Sequence, residues 1–310
     1  MSKQEIDGNY VKNLILDAAP ERKEELRMFW DQYSPKVFIA EDNHRILVQA
    51  TSTRIEFSSR AMESFWLLGF AAWRAFECYC PAVVLSPVVN TSVSGLIGGD
   101  EGFDDAETAF ESLIHAARTL IHIGSQDDFE WPDDVPRPYN NRNASDITEK
   151  AISDLICIAT AYVFLHEMRH VQLGQDDQRP AELFEEEMLC DVFARDFLMG
   201  KLASFTTASP WSHEQLAMKR GMGLVVGAFI LYELTDRSQL AGSDDYPSIA
   251  DRFEALIGSM PITDPNHSFW IFTATLLAAL VRRRNRRAIL DGADAKKICE
   301  HLIQQIHQHC

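Results

Sequence analysis

Positive charge is scarce in this 310-residue chain: 29 Lys and Arg stand against 46 Asp and Glu, a net charge of −17. That balance argues against duplex nucleic acid as the main partner, since phosphate binding is built on cations. Cysteine is also sparse. Six are present, Cys78 and Cys80 two apart and Cys310 at the end, without the spacing of a disulfide framework. The first residues, Met1-Ser-Lys-Gln-Glu-Ile-Asp7, lack the apolar run of a signal peptide. A reducing, cytoplasmic compartment is therefore expected. No apolar run reaches the roughly 20 residues needed to cross a bilayer. The two most apolar stretches, 221–232 and 269–281, read as buried helices of a large core. No internal repeat is visible, and the small-residue segment 86–99 carries no lysine-bearing phosphate loop, so no nucleotide is assigned to it.

What is present is an ordinary globular balance, 46% hydrophobic and 24% charged. Residues 1–34 hold a charged helix around Pro20–Trp30. Lys36–Ala40, Arg45–Gln49 and Thr53–Phe57 read as three short strands of a small antiparallel sheet. A long apolar helix is expected from Ser59 to near Pro81, and an amphipathic one over Asp104–Ile123. The acidic, proline-punctuated segment Asp127–Pro138 is the best boundary between an N-terminal mixed α/β part (1–140) and a helical part (141–310). Four helical stretches follow Gly200, near 210–235, 247–258, 268–287 and 294–308. The fold class is α+β, mostly α-helical, with a small N-terminal antiparallel sheet and a helical core. The basic run Arg282-Arg-Arg-Asn-Arg-Arg287 reads as a solvated helix end that favours the C-terminal dipole, with peripheral contact to acidic lipid as the alternative.

The chemistry concentrates in Phe164-Leu-His-Glu-Met-Arg-His170. His166 and His170, four apart on a helix, project from one face and can reach one zinc ion. Glu167 between them is placed as general base. The preceding stretch, 151–165, is apolar and free of Pro and Gly, as a buried helix would be. After a polar turn ending near Pro180, a second helix carries Leu183, Glu187, Asp191, Ala194 and Leu198 on one face. Acids in such a stripe are costly unless paired or bound to metal. Glu187 is the preferred third ligand because Asp191 at i+4 can hold the far nitrogen of a zinc histidine. Glu186 is its rival, with Glu182, Glu185 and Cys190 more distant ones. Tyr246-Pro-Ser-Ile-Ala-Asp-Arg252 is the segment in which a phenol or guanidinium, Tyr246 or Arg252, could serve the transition state; an Arg252 paired with a carboxylate of the second metal helix is as good a reading. His213, His267, His301, His307 and His309 read as surface.

His166-Glu-Met-Arg-His170 with Glu187-Met-Leu-Cys-Asp191 resembles the zinc peptidases whose third ligand is a Glu on the next helix. The fuller stretch from Phe164 to Leu198, with Tyr246 and Arg252 and the chain length, resembles the Lit-type phage-exclusion peptidases. That resemblance covers roughly a fifth of the chain. It implies one zinc per chain held by His166, His170 and Glu187, with Glu167 as base. It further implies a dormant cytoplasmic protease of phage defence whose protein substrate is elongation factor Tu. The alternative is a zinc-stabilised regulatory or interaction protein without turnover, favoured if Cys190 or a distal histidine closes the coordination sphere.

Overall fold

The expected strand Lys36–Ala40 forms, and it sits inside a sheet rather than at its end. In the computed structural model, which describes residues 3–40, 48–98, 102–123, 128–138, 146–206, 210–286, 288 and 291–309, four strands pair in the order β1-β2-β4-β3. They are β1 (Lys3–Ile6), β2 (Lys36–Ala40), β3 (Val48–Thr51) and β4 (Arg54–Ser58). Strand β1 was not anticipated from the sequence, and Arg45–Leu47 of the expected second strand lie outside the described residues.

The sheet corrects one expectation: it is mixed. β1–β2 and β3–β4 are antiparallel, but β2 and β4 run parallel, with Val37 opposite Ile55. Adjacent strands usually pair in sequence order. Here the apolar β4, with Ile55 and Phe57 buried, takes the inner place, and the polar β3 is left at the edge.

Helices make up the rest. They are α1 (Asn9–Ala18), α2 (Lys23–Tyr33), α3 (Ser59–Val89), α4 (Val93–Ile97), α5 (Phe103–His122) and α6 (Ile147–Gln175). The chain continues with α7 (Leu183–Met199), α8 (Leu202–Thr206), α9 (His213–Leu234), α10 (Ile249–Gly258), α11 (Ser268–Arg284) and α12 (Ala295–His309). The fold is α+β and mostly helical.

Strand β4 passes directly into α3, whose first turn is capped by the Ser58 hydroxyl accepting from the Ala61 amide. The helix does not stop at Pro81; it runs through Pro81 and Pro87 to Asn90, which adopts a left-handed φ of 52°. Pro81 is exposed, so the carbonyl it leaves unpaired can face water, and burial of Ala82, Val83 and Ser86 holds the helix beyond it. The segment expected as a loop over 86–99 is thus partly the end of α3 and partly α4.

Helix α6 lies at the centre. Asp146 caps it by accepting from the Thr148 amide, and no Pro or Gly interrupts it before Gly174. Its middle, from Ile158 to Met168, is buried on all sides. It packs against α1, α3, α7, α9 and the β3–β4 hairpin. Two glycines permit this closeness. A Cβ on Gly69 of α3 would meet Ile156 Cγ1 at 2.2 Å, and one on Gly223 of α9 would meet Ile158 Cγ2 at 2.5 Å. By length and hydropathy α3 and α6 could cross a membrane, but their apolar windows are 56% and 72% buried within the fold, which accounts for their composition.

One apolar core joins residues from Val11 to Ile306. The proline-punctuated segment packs on α3: the Trp66 indole donates to the Pro136 carbonyl (2.7 Å), and Arg74 pairs with Asp134. The basic run is less solvated than its sequence suggests. Arg282 pairs with Glu107 of α5 at 2.9 Å, Arg283 with the fully buried Glu233 of α9, and Arg286 with Glu111 of α5. Arg287 lies outside the described residues.

Candidate active site

Helix α6 brings His166 and Glu167, both buried, to the floor of a cleft of about 660 Å³, with the half-buried His170 one turn beyond His166. The periodicity of the helix puts the two imidazoles one turn apart on the same side, with their Nε2 atoms 3.1 Å from each other.

Helix α7 crosses this pair and contributes three acids. Glu187 reaches both Nε2 atoms, with Oε2 3.3 Å from His166 and Oε1 3.4 Å from His170. The opposite ring edges are held as well: His166 Nδ1 lies 2.9 Å from Asp191 Oδ1, and His170 Nδ1 lies 2.7 Å from Glu186 Oε1. Adjacent residues of α7 thus meet opposite edges of the same ring. Each imidazole presents Nε2 inward and has Nδ1 fixed by a carboxylate, which sets the ring's orientation and tautomer.

The two Nε2 atoms, 3.1 Å apart, are thus each approached by one oxygen of the Glu187 carboxylate, at 3.3 and 3.4 Å. Donors bound at 2.0–2.1 Å around one tetrahedral ion stand about 3.3–3.4 Å apart, so these spacings suit a zinc-sized ion. His166, His170 and Cys190 also offer ligand atoms within 4.8 Å of one another. Cys190 is fully buried and does not line the cleft, whereas Glu187 lines it and has an oxygen 3.3 Å from one nitrogen and another 3.4 Å from the other. Geometry favours the carboxylate. An exposed group, Asp251, Glu254 and His307, satisfies the same distance criterion on the surface between α10 and α12.

Arg252, on α10, is an integral part of this cluster. Its Nη1 donates to Asp191 Oδ1 at 2.9 Å and its Nη2 to Glu187 Oε2 at 3.1 Å, with the side chain 15% exposed. Of the two roles open to it from the sequence, the structure shows the pairing with carboxylates of the second helix. Tyr246 is half exposed on the rim of the cleft. Sequence reasoning missed Tyr162, whose hydroxyl donates to Asp191 Oδ1 at 2.8 Å. Its position four residues before His166, on the same face, was the available signal.

The electrostatics follow from burial among these partners. Burial opposes charge on His166, but hydrogen bonds to Asp191 and Glu187 outweigh it and raise the imidazole to about 10. His170 is raised for the same reason, through Glu187 and Glu186. Burial also works against a charged Glu187, yet the two histidines and Arg252 hold its carboxyl well below the usual range. Glu167 goes the other way. Burial raises it, the nearby histidines only partly offsetting this, while the Ala50 amide of β3 donates to its carboxylate. Glu167 and Glu187 thus differ in proton affinity, set apart by their surroundings.

Above this floor the cleft has two walls. One is apolar: Val48 at the β3 edge, Phe65 of α3 and Val163 of α6. The other is the segment after α9, including Thr235, Gln239, Gly242 and Tyr246. An ionisable floor, an apolar wall and an open strand edge form a groove suited to an extended peptide.

No curated protein and no solved structure matches the chain. The family model described as Peptidase U49 matches residues 55–273, more than two thirds of the chain. The matched span begins in β4 and contains α6, α7, the cleft wall after α9 and Arg252 of α10. On that match the chain belongs to the Peptidase U49 family.

Proposed function

We propose that this peptidase is a zinc-dependent endopeptidase of the Lit type, cytoplasmic and acting in phage defence on a protein substrate, elongation factor Tu. The observation that carries the zinc assignment is the convergence of His166 Nε2, His170 Nε2 and the Glu187 carboxylate, with both Nδ1 atoms tethered from behind. Two nitrogens and one carboxylate, with an approach left open from the cleft, are the donor set of catalytic rather than structural zinc. When bound, the ion supplies Lewis acidity that makes water nucleophilic near neutral pH. Glu167, raised by burial, takes the proton from the attacking water and returns it to the departing amine. In this reading the Tyr246 phenol, on the rim of the cleft, donates its hydrogen to the carbonyl oxygen as charge develops there. Arg252 holds Asp191 and Glu187 in place. The β3 edge, whose Ala50 amide contacts Glu167, offers backbone groups to an extended substrate.

The test uses purified wild type and Glu167→Gln on a bacterial lysate, with and without phage components, beside metal analysis. One zinc per chain in both proteins, and a lysate band cut by wild type alone, supports the reading. Identifying that band as elongation factor Tu, or not, decides the substrate. Zinc in both proteins without cleavage under any condition favours a zinc-stabilised, non-catalytic protein. Cys190, within reach of both histidines, is the residue that would then close the coordination sphere.

A further inference from the structure

A far smaller cavity than the cleft, of about 20 Å³, lies between α6, α7 and α10, and Tyr162, Asp191, Val192, Arg195, Arg252 and Ala255 are among the residues that line it. Tyr162 and Arg252 also line the cleft; Asp191 and Arg195 do not. The space suffices for about one water molecule, and four of those six side chains are polar.

Asp191 has the most at stake there. Its Oδ1 accepts from the Tyr162 hydroxyl at 2.8 Å and from Arg252 Nη1 at 2.9 Å, and lies 2.9 Å from His166 Nδ1. Its Oδ2 is buried without a hydrogen-bond partner among the described residues. A buried carboxylate oxygen that meets no donor carries the cost of its lost hydration in full. Arg195 follows Asp191 by four positions on α7, so the two side chains share a face. Arg195 turns Nε and Nη2 to Asp196, each at 3.2 Å, which leaves Nη1 for another acceptor; among the described residues no ion pair joins it to Asp191 directly.

We propose that this cavity binds one ordered water that bridges Asp191 Oδ2 to the Arg195 guanidinium, and that Arg195 is thereby a positioning residue for the metal site. The water donates a hydrogen to Oδ2 and accepts one from Nη1, the partner that each lacks. Asp191 is then held through both oxygens, and with it the orientation of the His166 ring. As support for a zinc ligand the bridge rests on the peptidase reading; as a hydration site it does not.

The test begins with crystal structures of the full-length protein, metal-free and zinc-saturated, fine enough to show ordered water. The inference expects one water in the cavity at hydrogen-bond distance from both Asp191 Oδ2 and Arg195. Val192→Ile adds one methyl group, about a water's volume, to the cavity wall. It should lower the folded-to-unfolded ratio in a urea titration by about fivefold or more, because displacing the water leaves Oδ2 bare; filling a dry cavity would raise the ratio. Arg195→Met should shift the His166 Nδ1 proton resonance, and Arg195→Lys, which keeps a donor, should return it towards its wild-type position. A role in stability alone would leave that resonance in place. No water bound to Oδ2, a ratio unchanged or raised by Val192→Ile, or a resonance that Arg195→Met does not move would overturn the proposal. Should Arg195→Met fail to fold, the crystals and Val192→Ile still decide. No turnover is measured, so a failure here leaves the peptidase reading standing, and a chain that binds no zinc or cleaves nothing still shows the water in its metal-free crystal.

Discussion

Replacing Arg252 by Met removes one of two cations, the other being protonated His166, that bridge Asp191 and Glu187, while keeping most of the side-chain volume. The two carboxylates are each 11% exposed, so water cannot take over the guanidinium's role in full. Breaking a buried pair from one side costs about 3–5 kcal/mol, because the remaining charge is left desolvated. An unfolding entropy of about 2.1 cal/mol/K per residue gives about 0.65 kcal/mol/K for 310 residues. The melting temperature of the metal-free variant should therefore fall by about 5–8 °C. Zinc returns positive charge to Glu187, so the gap between variant and wild type should narrow when both are saturated with metal. Thermal unfolding followed by circular dichroism, in chelator and in zinc, measures both quantities. A fall below about 1 °C in chelator, or a gap that zinc leaves unchanged, would refute the idea that Arg252 neutralises the ligand carboxylate.

The two neighbouring glutamates should separate in a chelator competition. Glu187→Gln should lower zinc affinity by more than about 100-fold, whereas Glu186→Gln, acting through His170 Nδ1, should cost about 10–100-fold; equal losses would mean the roles are shared. Metal binding should also release protons. His166 in the metal-free chain is raised to about 10, so the stability its charge contributes is complete below its unfolded value near 6.5 and disappears as pH climbs through 10. At pH 8 at least one proton must leave as zinc enters, and apparent affinity should rise with pH between 7 and 10. Calorimetry in two buffers of different ionisation enthalpy counts these protons, and a count of zero contradicts the assignment. Gly223→Leu should destabilise by 3 kcal/mol or more (~), since even a Cβ there lies 2.5 Å from Ile158, whereas Gly258→Ala, with nothing within 4 Å, should be neutral or stabilising in a urea titration.

The clustering of histidines and carboxylates was legible because it depends largely on helical periodicity. Spacings of four put His166 with His170 and Glu187 with Asp191 whatever the rest of the chain does. The choice between Glu186 and Glu187 was not legible, since adjacent positions lie 100° apart on α7 and each finds a different nitrogen of His170. Arg252 could be placed near the metal helices from its segment, but its role depended on how α10 packs, which no local pattern encodes. The parallel β2–β4 pair was hidden for a similar reason: strand order was decided by which strand could be buried on both faces. Pro81 misled because proline's cost depends on exposure, and on the exposed side of α3 that cost is tolerable. The arginine run looked like a solvated helix end because its partners, Glu107, Glu111 and Glu233, lie far away in sequence.

Helix α6 carries both His166 and His170 and the middle of the apolar core. Amides from Ile158 to Met168 should then exchange with solvent through unfolding of the whole molecule, on the slowest timescale the protein has. A site built this way cannot be opened or closed by melting α6, because that would dissolve the fold. Any change of access to the cleft falls to its walls, the segment from Thr235 to Pro247 and the start of β3.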